Sequence, residues 1–159
     1  MNTQLILGRL LLPALSLLFG LTPSLAAAKT PPPEPALSIT ADDPQLKWGG
    51  CPPFMPKGCE IAMLHGDPAK ANLDVFFRVP AKAVIPLHWH TSAERMILIT
   101  GELHVTYEGQ KTAVLKPGTY AYGPAKRSHH AVCAGETPCV LFIAFETPLD
   151  AVPVQKTAK

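Results

Sequence analysis

The stretch PLHWHTSAERMILITG, from Pro86 to Gly101, decides how the rest of this 159-residue sequence is interpreted. Its histidines, His88 and His90, are separated by one residue, and alternate side chains of a β-strand leave the same face. Glu94 follows after a polar break, so the next strand can return its carboxylate to the same place. Imidazoles with one carboxylate suit iron, manganese, zinc, nickel or copper. The stretch therefore predicts a site for one divalent transition metal ion.

A third histidine is needed to close this site, and the segment 118–130 (GTYAYGPAKRSHH) offers two. Gly118 and Pro124 bracket a short predicted strand, and His129 and His130 follow it. Adjacent residues of a strand face opposite ways, so only one of the two can point inward. The residue pattern alone leaves both histidines open.

From Glu60 onward the sequence predicts an all-β fold. Short segments rich in β-branched, aromatic and aliphatic residues alternate with turn formers such as Gly66-Asp67-Pro68 and Pro117-Gly118. Strands are predicted at residues 60–64, 73–79, 84–90, 95–99, 102–107, 112–115, 120–122, 131–133 and 140–145. Such short, evenly spaced strands are typical of a sandwich or a barrel, and periodicity does not distinguish the two.

Residues 1–28 are predicted to be a signal peptide. A leucine-rich run extends from Leu5 to Leu21, with Arg9 near its start and small residues just beyond its end. An uncleaved membrane anchor is the alternative, but Pro13 and Gly20 interrupt the run, which falls short of the about 20 residues that span a bilayer. We therefore expect a periplasmic or secreted protein without a stable membrane span after cleavage.

The rest of the chain divides into three predicted parts. Residues 29–58 form a proline-rich tether and a cysteine-bounded loop, because consecutive prolines cannot join the interior of a sheet. Residues 59–148 form the β-domain, and residues 149–159 form a C-terminal tail. The apolar loop at the end of the first part is predicted to lie over the domain, and a lid that lines a ligand pocket is the alternative.

Four cysteines follow the signal peptide: Cys51, Cys59, Cys133 and Cys139. In an oxidising compartment they are predicted to form disulfides, and four cysteines allow three pairings. The two local pairs, 51 with 59 and 133 with 139, each close a short loop and are favoured. Cys133 shares strand parity with His129, so a thiolate ligand is the alternative for that cysteine.

The charge of the chain indicates which partners it binds. Charged residues make up 16% of the sequence, and the formal net charge is +2. Neither a basic patch nor a run of like charges is present, so the sequence does not predict a nucleic-acid binder. We expect the partner to be a small molecule.

Two segments resemble the motifs of the cupin superfamily. His88 to Gly101 matches the first motif, H-x-H-x3-E-x6-G, at every position. The second motif, G-x5-P followed by a histidine, is matched by Gly118, Pro124 and His129. The resemblance covers about residues 75–145 and implies a single jelly-roll-like cupin β-barrel, often dimeric. It favours His129 over His130 and implies one metal ion held by four residues: His88, His90, Glu94 and His129.

Three positions depart from the family pattern. Lys82 stands where a glycine usually precedes the first histidine, and Lys126 stands where a glycine usually follows the proline. Cys133 replaces an asparagine. None of these residues is a metal ligand in the family, so the departures concern turns and not the site.

The resemblance implies two classes of function. The first is an enzyme, a metal-dependent dioxygenase or isomerase that acts on a small oxygen-rich molecule, with Glu94 as a metal ligand or catalytic base. The second is a non-catalytic module that binds or senses a small ligand or the metal itself. Cupins include both classes, so the sequence leaves open whether this chain is an enzyme.

Overall fold

The structure, a computed structural model, describes residues 33–155, which form two antiparallel β-sheets without a helix. The predicted all-β class is confirmed, whereas the predicted signal peptide lies outside the described residues. The strands are β1 (Trp48–Gly50), β2 (Glu60–His65), β3 (Leu73–Val79), β4 (Val84–Trp89), β5 (Glu94–Thr100), β6 (Leu103–Tyr107), β7 (Ala113–Leu115), β8 (Tyr120–Gly123), β9 (His129–Cys133), β10 (Cys139–Phe145) and β11 (Val152–Pro153). In this part of the chain, no helix is long and apolar enough to cross a membrane.

The strands are arranged in two sheets that share one core. Sheet A has the order β1-β2-β3-β10-β5-β8, and sheet B has the order β11-β4-β9-β6-β7. Inward side chains alternate with outward ones along most strands, as the two-residue period of a strand requires. Buried aliphatic residues of both sheets form a single cluster that includes Val75, Leu98 and Leu141 from sheet A and Ile85, Val105 and Ala131 from sheet B.

A β-bulge in β4 determines which way His88 points. Ile85 pairs with Ala131 and His88 pairs with His129, so β4 has one more residue than β9 between these two pairs. Pro86 lies in the bulge, where its missing N–H does not break a regular ladder. The extra residue reverses the alternation, and Ile85 and His88 are therefore both buried although they are three residues apart.

Both cysteine pairs lie at disulfide distance, in the local arrangement that the sequence favours. The sulfur atoms of Cys51 and Cys59 are 1.94 Å apart, and those of Cys133 and Cys139 are 2.08 Å apart. The second pair joins the end of β9 to the start of β10. The first pair closes the loop between β1 and β2.

The segments on either side of the predicted β-domain also enter the sheets. Within residues 29–58, Trp48–Gly50 forms β1 and pairs with β2. Within residues 149–159, Val152 and Pro153 form β11 and pair with Trp89 and His88 of β4. Strands of two or three residues are too short to show an alternating pattern, which is why the sequence did not reveal them.

Two lysines adopt the left-handed backbone conformation that glycine adopts most readily. The φ angles of Lys82 and Lys126 are 64° and 61°. In the cupin family, both of these positions are usually occupied by glycine. The backbone N–H of Lys126 donates a hydrogen bond to the carbonyl of His90 at 2.7 Å, so the turn geometry of the motif is kept without its glycine.

Candidate metal centre

Three histidines from sheet B meet in the interior. His88 lies on β4, His90 directly follows that strand, and His129 lies on β9 opposite His88. All three side chains are buried, and one nitrogen of each lies within 4.8 Å of the others. The structure therefore brings together residues that are up to 41 positions apart in the chain (129 − 88 = 41).

Each of these imidazole rings is held by a backbone carbonyl. His88 Nδ1 lies 2.7 Å from the Pro86 oxygen, and His90 Nδ1 lies 2.5 Å from the Asp150 oxygen. His129 Nδ1 lies 3.1 Å from the oxygen of Arg127. A carbonyl oxygen only accepts hydrogen bonds, so each Nδ1 donates a proton there, and it is the Nε2 atom that offers a lone pair to a metal ion. Such carbonyl partners are usual for histidines that bind metal ions.

Glu94 reaches the same place from the opposite sheet. It begins β5 in sheet A, and only 4% of its surface is exposed. Its Oε1 lies 3.4 Å from His90 Nε2, and its Oε2 lies 3.7 Å from His129 Nε2. The carboxylate thus completes a group of four side chains that spans the gap between the sheets.

Burial shapes the electrostatics of this group. It lowers the pKa of His88 to about 4 and that of His129 to about 3, because a charged imidazolium loses hydration there. Burial raises the pKa of Glu94 for the same reason, and the nearby His90 opposes that rise. The two histidines are therefore neutral at pH 7 and able to coordinate a metal ion.

The donor set fits a divalent transition metal. The Nε2 atoms of the three rings and both oxygens of an ionised Glu94 are hydrogen-bond acceptors without a proton to share. Acceptors that converge at 3.4–3.7 Å repel one another unless a cation or a proton lies among them. Imidazole and carboxylate ligands are those that zinc, iron, manganese, nickel and copper accept.

The remaining sequence candidates lie apart from this group. His130 is exposed on the outer face of β9, whereas His129 is 7% exposed and faces inward. Cys133 does face inward, but its sulfur is paired with Cys139. Sequence reasoning missed the carbonyl partners of the three rings, because every residue carries a carbonyl and only the folded chain determines which one is used.

A cavity of about 80 Å³ adjoins the four side chains and lies between the sheets. Its wall includes Cys51, Pro52 and Met55 from the cysteine-bounded loop. In the same loop, the Phe54 ring centroid lies 6.0 Å from that of His88. The alternative interpretation of the loop, as a lid that lines the pocket, therefore describes its position better than a loop lying over the domain alone.

Comparison with known proteins identifies the fold. The family model described as a cupin domain matches residues 75–145. No curated protein matches the chain in sequence. Among solved structures, a DMSP lyase from Ruegeria pomeroyi DSS-3 is 19% identical with a TM-score of 0.58, over 68% of this chain and 60% of that one. This chain thus spans less than two thirds of the length of that lyase.

Two further structures are matched over most of their own length. An RmlC-like cupin from Shewanella frigidimarina NCIMB 400 is 24% identical with a TM-score of 0.54, over 66% of this chain and 86% of that one. A predicted oxalate decarboxylase from Thermotoga maritima is 21% identical with a TM-score of 0.56, over 70% of this chain and 99% of that one. At these identities the likeness concerns the fold. The family match, the cupin neighbours and the two facing sheets lead to one conclusion: residues 75–145 of this chain have the fold of a small cupin domain.

Proposed function

We propose that this chain is an exported metalloprotein that binds one divalent transition metal ion in a cupin barrel. The ligands are the Nε2 atoms of His88, His90 and His129 together with the carboxylate of Glu94. The observation that carries the proposal is the hydrogen bond from each of the three Nδ1 atoms to a backbone carbonyl. These bonds fix the tautomer and the orientation of each ring toward one point before any metal arrives.

The leading function is that of a metal-dependent enzyme, an oxygenase or isomerase of a small molecule. A bound metal ion supplies a Lewis acid, and three neutral imidazoles with one carboxylate leave a net charge of about +1 that attracts an anionic ligand. The described residues do the rest: mostly apolar side chains line the cavity, and Glu94 accepts or returns a proton at its carboxylate. The same fold in a DMSP lyase and a predicted oxalate decarboxylase supports an enzymatic role.

A binding or sensing module is the second candidate. Among the described residues that line the cavity, the titratable side chains are the four metal-site residues and Tyr107, because Cys51 is paired with Cys59 and carries no thiol proton. A dedicated acid–base pair beyond the ligands is therefore missing from this wall, which favours simple binding or chemistry that the metal itself performs.

Metal content tests the site. We expect the full chain, purified from its native compartment, to contain one transition metal ion per molecule by elemental analysis. His129→Ala removes one ligand and abolishes this content, while His130→Ala, the adjacent exposed histidine, leaves it unchanged. Equal metal content in both variants would exclude the proposed site.

Turnover distinguishes the two functions. Oxygen uptake by the metal-loaded chain is measured with catechol-type and dicarbonyl substrates, and product analysis detects isomerisation. Turnover that disappears in His88→Ala supports the enzyme. Tight binding of a small ligand without turnover, whichever metal is loaded, supports the sensing module.

Export is part of the same proposal. Residues 1–28 act as the signal peptide, and the two cysteine pairs at disulfide distance support an oxidising compartment. N-terminal sequencing of the mature protein from the periplasm or medium tests this, since a chain that still begins at Met1 contradicts cleavage. A homodimer, which the family resemblance implies, is tested by sedimentation of the mature protein.

A further inference from the structure

Tyr107 carries a buried hydroxyl that no protein group satisfies. Within residues 33–155, two buried side-chain polar atoms have no hydrogen-bond partner, the hydroxyls of Tyr107 and Thr147, and only Tyr107 lines the cavity. Tyr107 is 7% exposed. A buried hydroxyl without a partner destabilises the fold, so its presence requires an explanation outside packing.

The position of Tyr107 places this hydroxyl at the metal site. Tyr107 ends β6 directly opposite His129 of β9, and the two ring centroids are 4.7 Å apart. Across the cavity, Gly123 is paired with Glu94 in sheet A. A Cβ atom at Gly123 would collide with the Tyr107 hydroxyl and come within 3.0 Å of Glu94 Oε2. Glycine therefore leaves the space into which both polar groups point.

The rest of the cavity is apolar. Its polar lining consists of the four metal-site residues and Tyr107, all at one place in the wall. Elsewhere the wall is built mainly of aliphatic and aromatic side chains from both sheets, such as Phe77, Leu141 and Ile143 from sheet A and Ile85, Leu103 and Val105 from sheet B. A polar group on the ligand body would lose its hydration against this wall without gaining a partner.

From this arrangement we infer that the site takes a small ligand with one anionic oxygen group and a compact hydrocarbon body, and that Tyr107 donates a hydrogen bond to that oxygen group. The inference rests on the proposed metal site and narrows its substrate class, since an oxygen-rich molecule would meet apolar side chains along most of its length. The cavity volume of about 80 Å³ accommodates several water-sized groups, which suits a body of only a few carbon atoms.

Chain-length dependence tests the apolar body. Acetate, propionate and butyrate are titrated calorimetrically into the zinc-loaded full chain, with 3-hydroxypropionate as the polar counterpart of butyrate. We expect the affinity to rise about fourfold for each CH2 group added, and to fall at least as much when the terminal methyl becomes a hydroxyl. Equal affinity for butyrate and 3-hydroxypropionate would overturn the assigned ligand class.

Tyr107→Phe tests the hydrogen bond, because it keeps the ring and removes only the hydroxyl. We expect about a tenfold loss of butyrate affinity, with unchanged zinc stoichiometry. The matched controls are Tyr120→Phe and Tyr122→Phe, which change exposed tyrosines and leave both quantities unaltered. The assigned role would be contradicted if Tyr107→Phe kept its butyrate affinity, or if it lost zinc instead of butyrate affinity.

Zinc stoichiometry is measured separately from butyrate binding, so the two proposals fail in different ways. A chain that takes up no zinc contradicts the proposed function and, with it, the metal end of the ligand site. A chain that takes up one zinc ion but shows neither preference for butyrate nor dependence on Tyr107 contradicts the inference alone.

Discussion

Among single residues, Tyr107 combines a cost in stability with the proposed role in binding. Its hydroxyl is buried close to Gly123 without a hydrogen-bond partner. We expect Tyr107→Phe to stabilise the metal-free chain by about 1 kcal/mol, since an unsatisfied buried hydroxyl carries a desolvation penalty of that order. Urea unfolding measures the change, and Tyr120→Phe serves as the exposed control. A less stable Tyr107→Phe chain would mean that the hydroxyl has a partner within the fold.

Lys126 offers a second test at this scale. Its φ of 61° destabilises the folded state by roughly 1–2 kcal/mol when the residue is not glycine. Glycine removes this strain, but its greater conformational freedom in the unfolded chain offsets part of the gain in stability. We expect Lys126→Gly to stabilise the protein by about 0.5 kcal/mol in urea unfolding. Lys126→Ala keeps the strain and loses the same charge, so it is the matched control. Equal stability of the two variants would show that the backbone is not strained at this turn.

The sequence assigned four residues to the candidate metal centre but did not indicate what orients them. The H-x-H spacing placed His88 and His90 on one face, and the family resemblance, unlike strand parity, selected His129 over His130. The carbonyl of Asp150 that holds His90 lies 60 residues further along the chain. A contact of this kind depends on where β11 returns beside β4, which a local pattern does not record.

At the scale of strands, the bulge at Pro86 explains why the H-x-H pattern faces inward. Without the extra residue, the alternation that buries Ile85 would place His88 outside. The turn formers delimited nine strands closely, because each break contains glycine, proline or a polar pair. Alternation within a strand fixes the relative orientation of its residues, but not where a bulge reverses that orientation relative to the core. The alternation of residues in the sequence therefore could not predict the bulge.

The loop between β1 and β2 provides a test at the same scale. Its two cysteines are eight positions apart in the chain, and its Pro52 and Met55 line the cavity. We expect the double variant Cys51→Ala/Cys59→Ala to lose about 2 kcal/mol of stability through greater freedom of the unfolded chain. Because residues of the loop line the cavity, this variant should also release bound zinc to a chelator faster.

The second cysteine pair supplies the control for this experiment. Cys133→Ala/Cys139→Ala removes a cross-link of similar length that does not line the cavity. It should lose comparable stability but release zinc at the rate of the unmodified protein. Equal rates of zinc release in both double variants would show that the loop between β1 and β2 is not a lid.

For the molecule as a whole, the candidate metal centre draws its side chains from both sheets. His88 and His129 belong to sheet B, His90 directly follows β4 of that sheet, and Glu94 belongs to sheet A. A group of four buried polar side chains between two apolar faces opposes folding unless the charges are neutralised. A bound metal ion would turn this group into a cross-link, and the stability of the protein would then depend on metal and pH together.

As the pH falls, the metal-free protein should lose stability at pH values well above those at which its exposed carboxylates become protonated. His88 and His129 have folded pKa values of about 4 and about 3, below the ordinary value of 6.5, so the unfolded chain takes up their protons first as the pH falls. Their contribution to the free energy of unfolding is complete above pH 6.5 and is lost as the pH falls toward 4 and then 3. The loss for His88 alone is on the order of 3 kcal/mol. Glu94 acts in the opposite sense, because its raised pKa gives a contribution to stability that is present at low pH and lost as the pH rises. Glu94 therefore makes the loss of stability in acid smaller.

Urea unfolding with a chelator, repeated from pH 7 to pH 4, measures this decline. We expect the free energy of unfolding to fall steadily below pH 6.5, and to fall less steeply in His129→Gln, which removes one of the two depressed imidazoles. His130→Gln, at the exposed neighbouring position, should follow the unmodified chain. If stability stays constant between pH 6.5 and pH 4.5, the histidines either remain hydrated in the folded protein or share their protons with Glu94. In that case the four side chains would not form the dry, preorganised site on which metal binding depends.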